Sequence, residues 1–222
     1  MALEFEVVAD ADAAAKRAAE VIEQAARAAV GTASFSIALS GGRTPWKMLE
    51  VLDPDALAEP GTTIFQVDER VAPDEDPDRN LTHMRECLSA GALERLLPMP
   101  VTDDDLDAAA ERYAGAMPER LDLLHLGLGP DGHTASLVPG DPVLDVDDQR
   151  VALTRGEYQG RRRMTITYPA IAAAARVLFL VTGAEKREAL AKLRAADDSI
   201  PAGRVEADSG LIIADRAAAG QT

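Results

Sequence analysis

Short unbroken apolar runs alternate with stretches of helical period along most of this chain. Phe5–Val8, Phe35–Leu39, Thr63–Val67, Leu121–Leu126, Val177–Val181 and Ser209–Ile213 read as strands, with two more near Arg150–Leu153 and Met164–Thr167. Asp10 or Asp12 can cap a long Ala-rich helix that runs to about Val30, where Gly31 stops it. Val21, Ile22, Ala25, Ala26 and Ala29 give that helix one apolar stripe. Further helices are predicted over Pro45–Leu52, from Asn80 as a capping residue, and over Asp103–Met117, Pro169–Ala175 and Ala184–Ala195. Asp68–Arg79, rich in Asp and Pro, reads as a polar loop. Strands alternate with helices, and their apolar runs are continuous. That pattern predicts an α/β fold: a single doubly wound, mostly parallel sheet with helices on both faces.

Composition narrows the function more than the fold. The 222 residues suffice for one α/β domain spanning 1–222, and no linker-like stretch divides them. A formal net charge of −15 argues against nucleic acid and anionic membrane as partners. An anionic substrate would need a local cluster of Arg and Lys. The lone Cys87 excludes an internal disulfide framework and fits a reducing compartment. Met1 to Lys16 carries Glu4, Glu6, Asp10 and Asp12 and has no apolar core of a secretory signal, so the cytoplasm is the expected location. There is no His-x-x-x-His, Cys-x-x-Cys or Gly-x-Ser-x-Gly, which leaves metal binding and a Ser–His–Asp hydrolase unsupported.

In an open α/β sheet, ligands bind beyond the carboxyl ends of the strands, so the residues that follow each strand carry the chemistry. Ser40-Gly41-Gly42-Arg43-Thr44-Pro45 follows the second strand. Its glycines let backbone N–H groups approach an anion, Thr44 can cap the helix, and Pro45 suits a first helical turn. Asp68-Glu69-Arg70 follows the third strand. Arg70 is a candidate phosphate fork, and Asp68 and Glu69 are candidates to accept sugar hydroxyls or to fix Arg70. Gly127-Leu128-Gly129-Pro130-Asp131-Gly132-His133 follows Leu121–Leu126 and puts an ionisable pair in a glycine loop. His133 is the candidate for proton transfer; His83, in a helix, and His125, on a strand, read as structural. Lys186 follows Thr182-Gly183 in the first turn of a helix, a poor place for a cation by the helix dipole, which a bound anion or plain solvent exposure would explain. Arg163 closes the basic triplet Arg161-Arg162-Arg163 and is a candidate to face the substrate.

Taken together and in order, these segments resemble the 6-phosphogluconolactonase family, over nearly the whole chain. The matching pieces are Ser40-Gly41-Gly42-x-Thr44-Pro45, Asp68-Glu69-Arg70 with Pro73 and Asn80, and Gly127-x-Gly129-x-Asp131-Gly132-His133-Thr134-Ala135-Ser136-Leu137-x-Pro139-Gly140. Arg163-x-Thr165-x-Thr167, Thr182-Gly183-x-x-Lys186 and Ile200-Pro201-Ala202 resemble the later landmarks. The related glucosamine-6-phosphate deaminases have an Asp-Glu-Tyr landmark and a Gly-His-Ile-Ala-Phe-Asn-Glu loop. Arg70, Asp131 and the Thr-Ala-Ser after His133 favour the lactonase branch. Three departures bear on the pocket rim and substrate preference: Arg43 in place of a smaller residue, Val71-Ala72 before Pro73, and Tyr158–Arg162 in place of a Lys-Pro-Pro run.

The resemblance implies a Rossmann-like fold of the sugar-phosphate isomerase/deaminase type. It implies hydrolysis of 6-phospho-D-glucono-1,5-lactone to 6-phospho-D-gluconate in the oxidative pentose phosphate pathway, without metal or cofactor. On this reading His133 is the general base, and Asp131 orients it or the sugar hydroxyls. Gly41, Gly42, Thr44, Asp68, Arg70, Arg163 and Lys186 bind substrate, with the phosphate contact open among Arg70, Arg163, Lys186 and Arg43. The expected partner is a small sugar phosphate, with the protein a monomer or weak homodimer. The rival readings are a deaminase-like enzyme and a catalytically silent sugar-phosphate sensor.

Overall fold

The computed structural model describes residues 3–31 and 34–221. The elements run β1 (Glu4–Val8), α1 (Ala11–Ala29), β2 (Phe35–Leu39), α2 (Arg43–Glu50), β3 (Thr62–Gln66), β4 (Asp68–Arg70), α3 (Asn80–Cys87), α4 (Ala90–Leu93) and β5 (Leu96–Leu97). They continue with α5 (Leu106–Ala116), β6 (Leu123–Gly127), β7 (Val151–Leu153), β8 (Arg163–Ile166), α6 (Tyr168–Ala172), β9 (Val177–Val181), α7 (Arg187–Arg194), β10 (Gly210–Asp215) and α8 (Arg216–Ala219). Short 3₁₀ turns occupy Pro142–Asp145, Ala184–Lys186 and Pro201–Arg204.

Among the described residues, seven strands form one parallel sheet in the order β1-β10-β9-β6-β2-β3-β5. The order explains the continuous apolar runs. Ile37, Leu39, Leu178, Leu180, Leu211 and Ile213 face one layer, with α1 and α2. Ala38, Val177, Phe179, Val181, Ile212 and Ala214 face the other, with α5, α6 and α7. Both faces are covered, so neither set of alternate positions is polar. On α1, Asp10 accepts the Ala13 N–H at 2.8 Å as its N-cap. Ala14, Ala18, Ala19, Ile22 and Ala26 are buried there; Ala25 and Ala29 lie at the margin of the expected stripe.

Four expectations change. Asp68–Arg70 is not loop but β4, and it pairs antiparallel with β8, which pairs with β7. The two strands expected near 150 and 164 thus leave the main sheet for a small three-stranded one. A three-residue charged strand has no apolar period by which to be recognised. The second change is at Thr44, which does not cap α2: Gly42 is the N-cap, without a side-chain bond. The third is at Asn80, which is the first residue of α3 and not its cap; Arg79 holds that position. The fourth is at Lys186, which ends a 3₁₀ turn ahead of α7. Among the described residues no helix is long and apolar enough to cross a membrane.

Candidate active site

The chain lays down β2, β3 and β5 to one side, then β6, β9 and β10 to the other. The turn of direction falls between β2 and β6, the place where an open α/β sheet opens a crevice. A cleft of about 690 Å³ lies there, lined by residues that follow β2, β3, β6 and β9. It gathers Gly41, Gly42, Thr44, Asp68, Arg70, His133, Arg163 and Lys186. Asp131 stands behind His133.

The loop after β6 is fixed by its own backbone. Gly129 N–H donates to His133 O at 2.8 Å and Gly132 N–H to Gly129 O at 3.0 Å. Thr134 Oγ1 donates to Gly127 O at 2.9 Å. A Cβ on Gly129 would lie 2.0 Å from His133 Nδ1, so only glycine lets the imidazole fold back over the loop. In that position Nδ1 meets Asp131 Oδ1 at 2.6 Å, and the His133 N–H donates to the same oxygen at 3.2 Å. The hydrogen bond from His133 pulls the Asp131 pKa down to about 2, so the carboxylate is ionised at any working pH. With Nδ1–H given to Asp131, Nε2 keeps its lone pair.

The loop after β2 is held from below. Gly41 packs on Asn80, whose Oδ1 would lie 2.0 Å from a Cβ there. The Ser40 N–H donates to the Nδ1 of buried His125 at 3.3 Å. Burial lowers the His125 pKa from 6.5 to about 4, and its Nε2 has no hydrogen-bond partner among the described residues. His125 is thus structural, as expected, and supports the glycine loop. A pH effect follows. Above pH 6.5 the residue is neutral in both states; as pH falls towards 4, the unfolded chain takes the proton and the folded chain does not. Stability is therefore lost across that window, by roughly 3 kcal/mol in all. His125→Asn keeps an acceptor for Ser40 and does not titrate. Urea unfolding at pH 7.5 and pH 5 should show a smaller acid loss in the variant than in the wild type; equal losses would place the acid sensitivity elsewhere.

The carboxylates after β3 are already committed. Glu69, fully buried, accepts from Arg70 N (2.7 Å), Asn80 N and Leu81 N (both 2.8 Å) and Gln66 Nε2 (2.9 Å), with Arg79 Nε at 3.6 Å. It caps α3 from outside that helix's own sequence. It is not a sugar ligand, as the sequence allowed, but the other expected role, fixing Arg70, is present through the Arg70 N–H. Asp68 lines the cleft but accepts from Ser136 Oγ at 2.6 Å and Asn80 Nδ2 at 3.2 Å, with Arg163 Nη1 at 3.8 Å.

The cations differ in freedom. Arg163 is buried, and its Nη2 donates to Tyr158 O at 3.1 Å and Gln159 Oε1 at 3.4 Å. Burial, then nearby Arg70, lowers its pKa. Arg70 Nη1 donates to Asn80 Oδ1. Lys186 is half-buried in the cleft wall, and its ammonium has no ion-pair or hydrogen-bond partner among the described residues. Its pKa is lowered, chiefly by burial, against the pull of Glu185 and Asp131 and with the push of Arg43. Arg43 is exposed at the start of α2. Thr44 Oγ1 lies 2.5 Å from Thr182 Oγ1, which ties α2 to the end of β9.

Two further residues at the site are not among the candidate site residues. Tyr158 Oη lies 3.3 Å from both Asp131 Oδ2 and His133 Nδ1. Asn80 joins Arg70, Asp68 and the Gly41 backbone. Its place in the Asp-Glu-Arg landmark marked it, but the capping reading hid its role.

An acid–base pair and several cations around one cleft, at the switch point of a doubly wound sheet, define an α/β enzyme with a cation-rich site. A profile of the family glucosamine-6-phosphate isomerases/6-phosphogluconolactonase matches residues 9–214, and the chain belongs to that family. The 6-phosphogluconolactonase of Nostoc sp. is 37% identical over 180 residues, 74% of each chain. The crystal structure of 6-phosphogluconolactonase from Leishmania guyanensis superposes with a TM-score of 0.86 at 22% identity, covering 98% of both chains. A monomeric glucosamine-6-phosphate deaminase gives a TM-score of 0.83 at 20% identity, over 99% of this chain and 100% of the other. The fold thus serves both branches, and the branch is read from residues and from sequence relatives.

Proposed function

We propose that the chain hydrolyses 6-phospho-D-glucono-1,5-lactone to 6-phospho-D-gluconate in the cytoplasm. The observation that carries the mechanism is the Asp131–His133 hydrogen bond, which leaves Nε2 as the nitrogen available to the cleft. Nε2 takes a proton from water as the oxygen attacks C1 of the lactone. The carbonyl electrons move onto the carbonyl oxygen, and N–H groups near Gly41 and Gly42 are the candidate donors to that oxyanion. When the oxyanion collapses, the bond from C1 to the ring oxygen breaks, and the ring oxygen recovers the proton from His133. Asp131 stabilises the imidazolium between the two transfers. The cysteine-poor, acidic composition supports a cytoplasmic site of action.

Lys186 is a cation of the cleft wall with no partner of its own among the described residues and so is free to meet a phosphate; Arg43 stands near it and Arg70 lines the same cleft. Lys186→Ala should weaken 6-phosphogluconate roughly ten- to hundredfold, the value of one hydrogen bond to a charged group, and leave unphosphorylated gluconate nearly unchanged. Arg70→Ala should act in the same direction. Because burial lowers the Lys186 pKa, affinity for the phosphorylated ligand should fall on the alkaline side before the ordinary lysine value of 10.5 is reached. Calorimetry with both ligands checks this; equal losses for the two would move the phosphate to Arg43 or Arg163.

The reaction itself is tested with freshly prepared lactone, its loss measured against spontaneous hydrolysis. Acceleration without ammonium release from glucosamine 6-phosphate is the expected result. Ammonium release would favour the deaminase, and inertness to both the sensor.

A further inference from the structure

The segment that departs from the family's usual Lys-Pro-Pro run builds a small hairpin of its own. Tyr158 N–H donates to Arg161 O at 2.9 Å and Arg161 N–H returns to Tyr158 O at 3.4 Å. Between them stand Gln159 (φ +55°) and Gly160 (φ +75°). Two central residues of positive φ make the turn type whose twist suits a two-residue hairpin. The hairpin is anchored at both sides: Arg161 Nη2 donates to Asp76 Oδ2 at 3.0 Å, and Arg163 Nη2 to the Tyr158 carbonyl.

This anchoring sets the Tyr158 ring between two site residues. His133 meets it edge-on, with centroids 5.1 Å apart and planes at 64°. The Arg163 guanidinium carbon lies 5.5 Å from the ring centroid. The hydroxyl is within 3.3 Å of Asp131 Oδ2 and His133 Nδ1. Since Nδ1 has already given its proton to Asp131 Oδ1, the hydroxyl donates to Oδ2. Burial, reinforced by the Asp131 charge, raises the phenol pKa, so it stays a donor. The charged groups around it are Asp131 after β6 and Arg163 on β8, beside the titratable His133, with Lys186 acting on Asp131 from beyond β9.

We propose that Tyr158 is a positioning residue for the Asp131–His133 pair: its hydroxyl holds Oδ2 while His133 holds Oδ1, and its ring sets the tilt of the imidazole. The carboxylate can then neither rotate nor exchange oxygens, and Nε2 remains the basic nitrogen. The kinetic part of this inference rests on the lactonase reading above; the structural part does not.

Tyr158→Phe keeps the ring and removes the hydroxyl. The expected result is a fall in kcat of roughly tenfold, the loss of one hydrogen bond to a charged group, with KM changed less than about twofold. The acid limb of kcat/KM should move to higher pH, because an unsatisfied Oδ2 leaves more negative field on the imidazolium. Tyr158→Leu removes the ring as well and should lose more. Independently of turnover, ¹⁵N spectra should show His133 protonated on Nδ1 in both proteins, with sharp ring resonances in the wild type and exchange-broadened ones in Tyr158→Phe, where the ring and carboxylate are no longer held in one orientation. A variant with wild-type kcat, pH profile and ring resonances would overturn the proposal. A raised KM at unchanged kcat would also overturn it, since Tyr158 would then be a substrate contact. Failure of the lactonase reading looks different: wild type and His133→Gln would be equally inert on the lactone, whatever the ¹⁵N spectra show.

Discussion

Replacing His133 by Gln lowers turnover on the lactone by roughly two to four powers of ten, the range a positioned general base supplies. The fold should be untouched, since His133 is partly exposed at the cleft and packs against Tyr158 and its own loop. Circular dichroism and the thermal midpoint check that condition, and initial rates corrected for spontaneous hydrolysis check the effect. Asp131→Asn should come within about tenfold of it. An amide can turn an N–H towards Nδ1, which moves the imidazole proton to Nε2 and removes the base. His83→Gln is the control: His83 sits on α3 beside Trp46, with ring centroids 5.3 Å apart. A His133→Gln enzyme with most of its turnover intact would assign the base elsewhere.

The largest effect on stability is expected at Glu69. Glu69→Ala strips four hydrogen bonds from a fully buried site and leaves Arg79, itself 2% exposed, without its buried partner. Breaking a buried ion pair by removing one member costs about 3–5 kcal/mol. A domain is stable by only about 5–15 kcal/mol in total, so the urea midpoint should fall steeply. Asp74 binds the same guanidinium at 2.5 Å from the surface, with 65% of its side chain exposed. Asp74→Ala should cost less than about 1 kcal/mol. Similar losses for the two variants would mean that water reaches Arg79, and the buried network would not be what holds β4 to α3.

Much of this arrangement is legible in the sequence, and the rest is hidden for definite reasons. The central strands of the main sheet announce themselves because both faces are covered and most of their positions are apolar, as in Val177–Val181. Their carboxyl ends then point to Gly41, Arg70, His133 and Lys186, which the structure does bring into one cleft. β4 is hidden because Asp-Glu-Arg is charged throughout: its burial is met by side-chain partners far along the chain, Asn80, Ser136 and Arg163. The engagement of Glu69 and Asp68 is hidden for the same reason. A carboxylate that awaits a sugar and one that caps a distant helix look alike until the chain is folded. Tyr158 is hidden because its segment departs from the common pattern, and only the turn of the hairpin brings it back over Asp131.

The pairing of β1 with β10 also has a consequence for how the molecule is made. Glu4 lies opposite Leu211 and Val8 opposite Asp215, and β1 has no other strand beside it among the described residues. A ribosome must therefore deliver the chain through residue 215 before the first strand finds its place, a closure across nearly the whole sequence that is slow by its nature. Asp215 also receives the Gly183 N–H at 3.1 Å and so secures the turn that leads to Lys186. The cation wall of the cleft and the far edge of the sheet are thus completed in the same late event. A nascent chain halted before β10 would already hold His133 and Asp131 yet lack a finished place for its substrate.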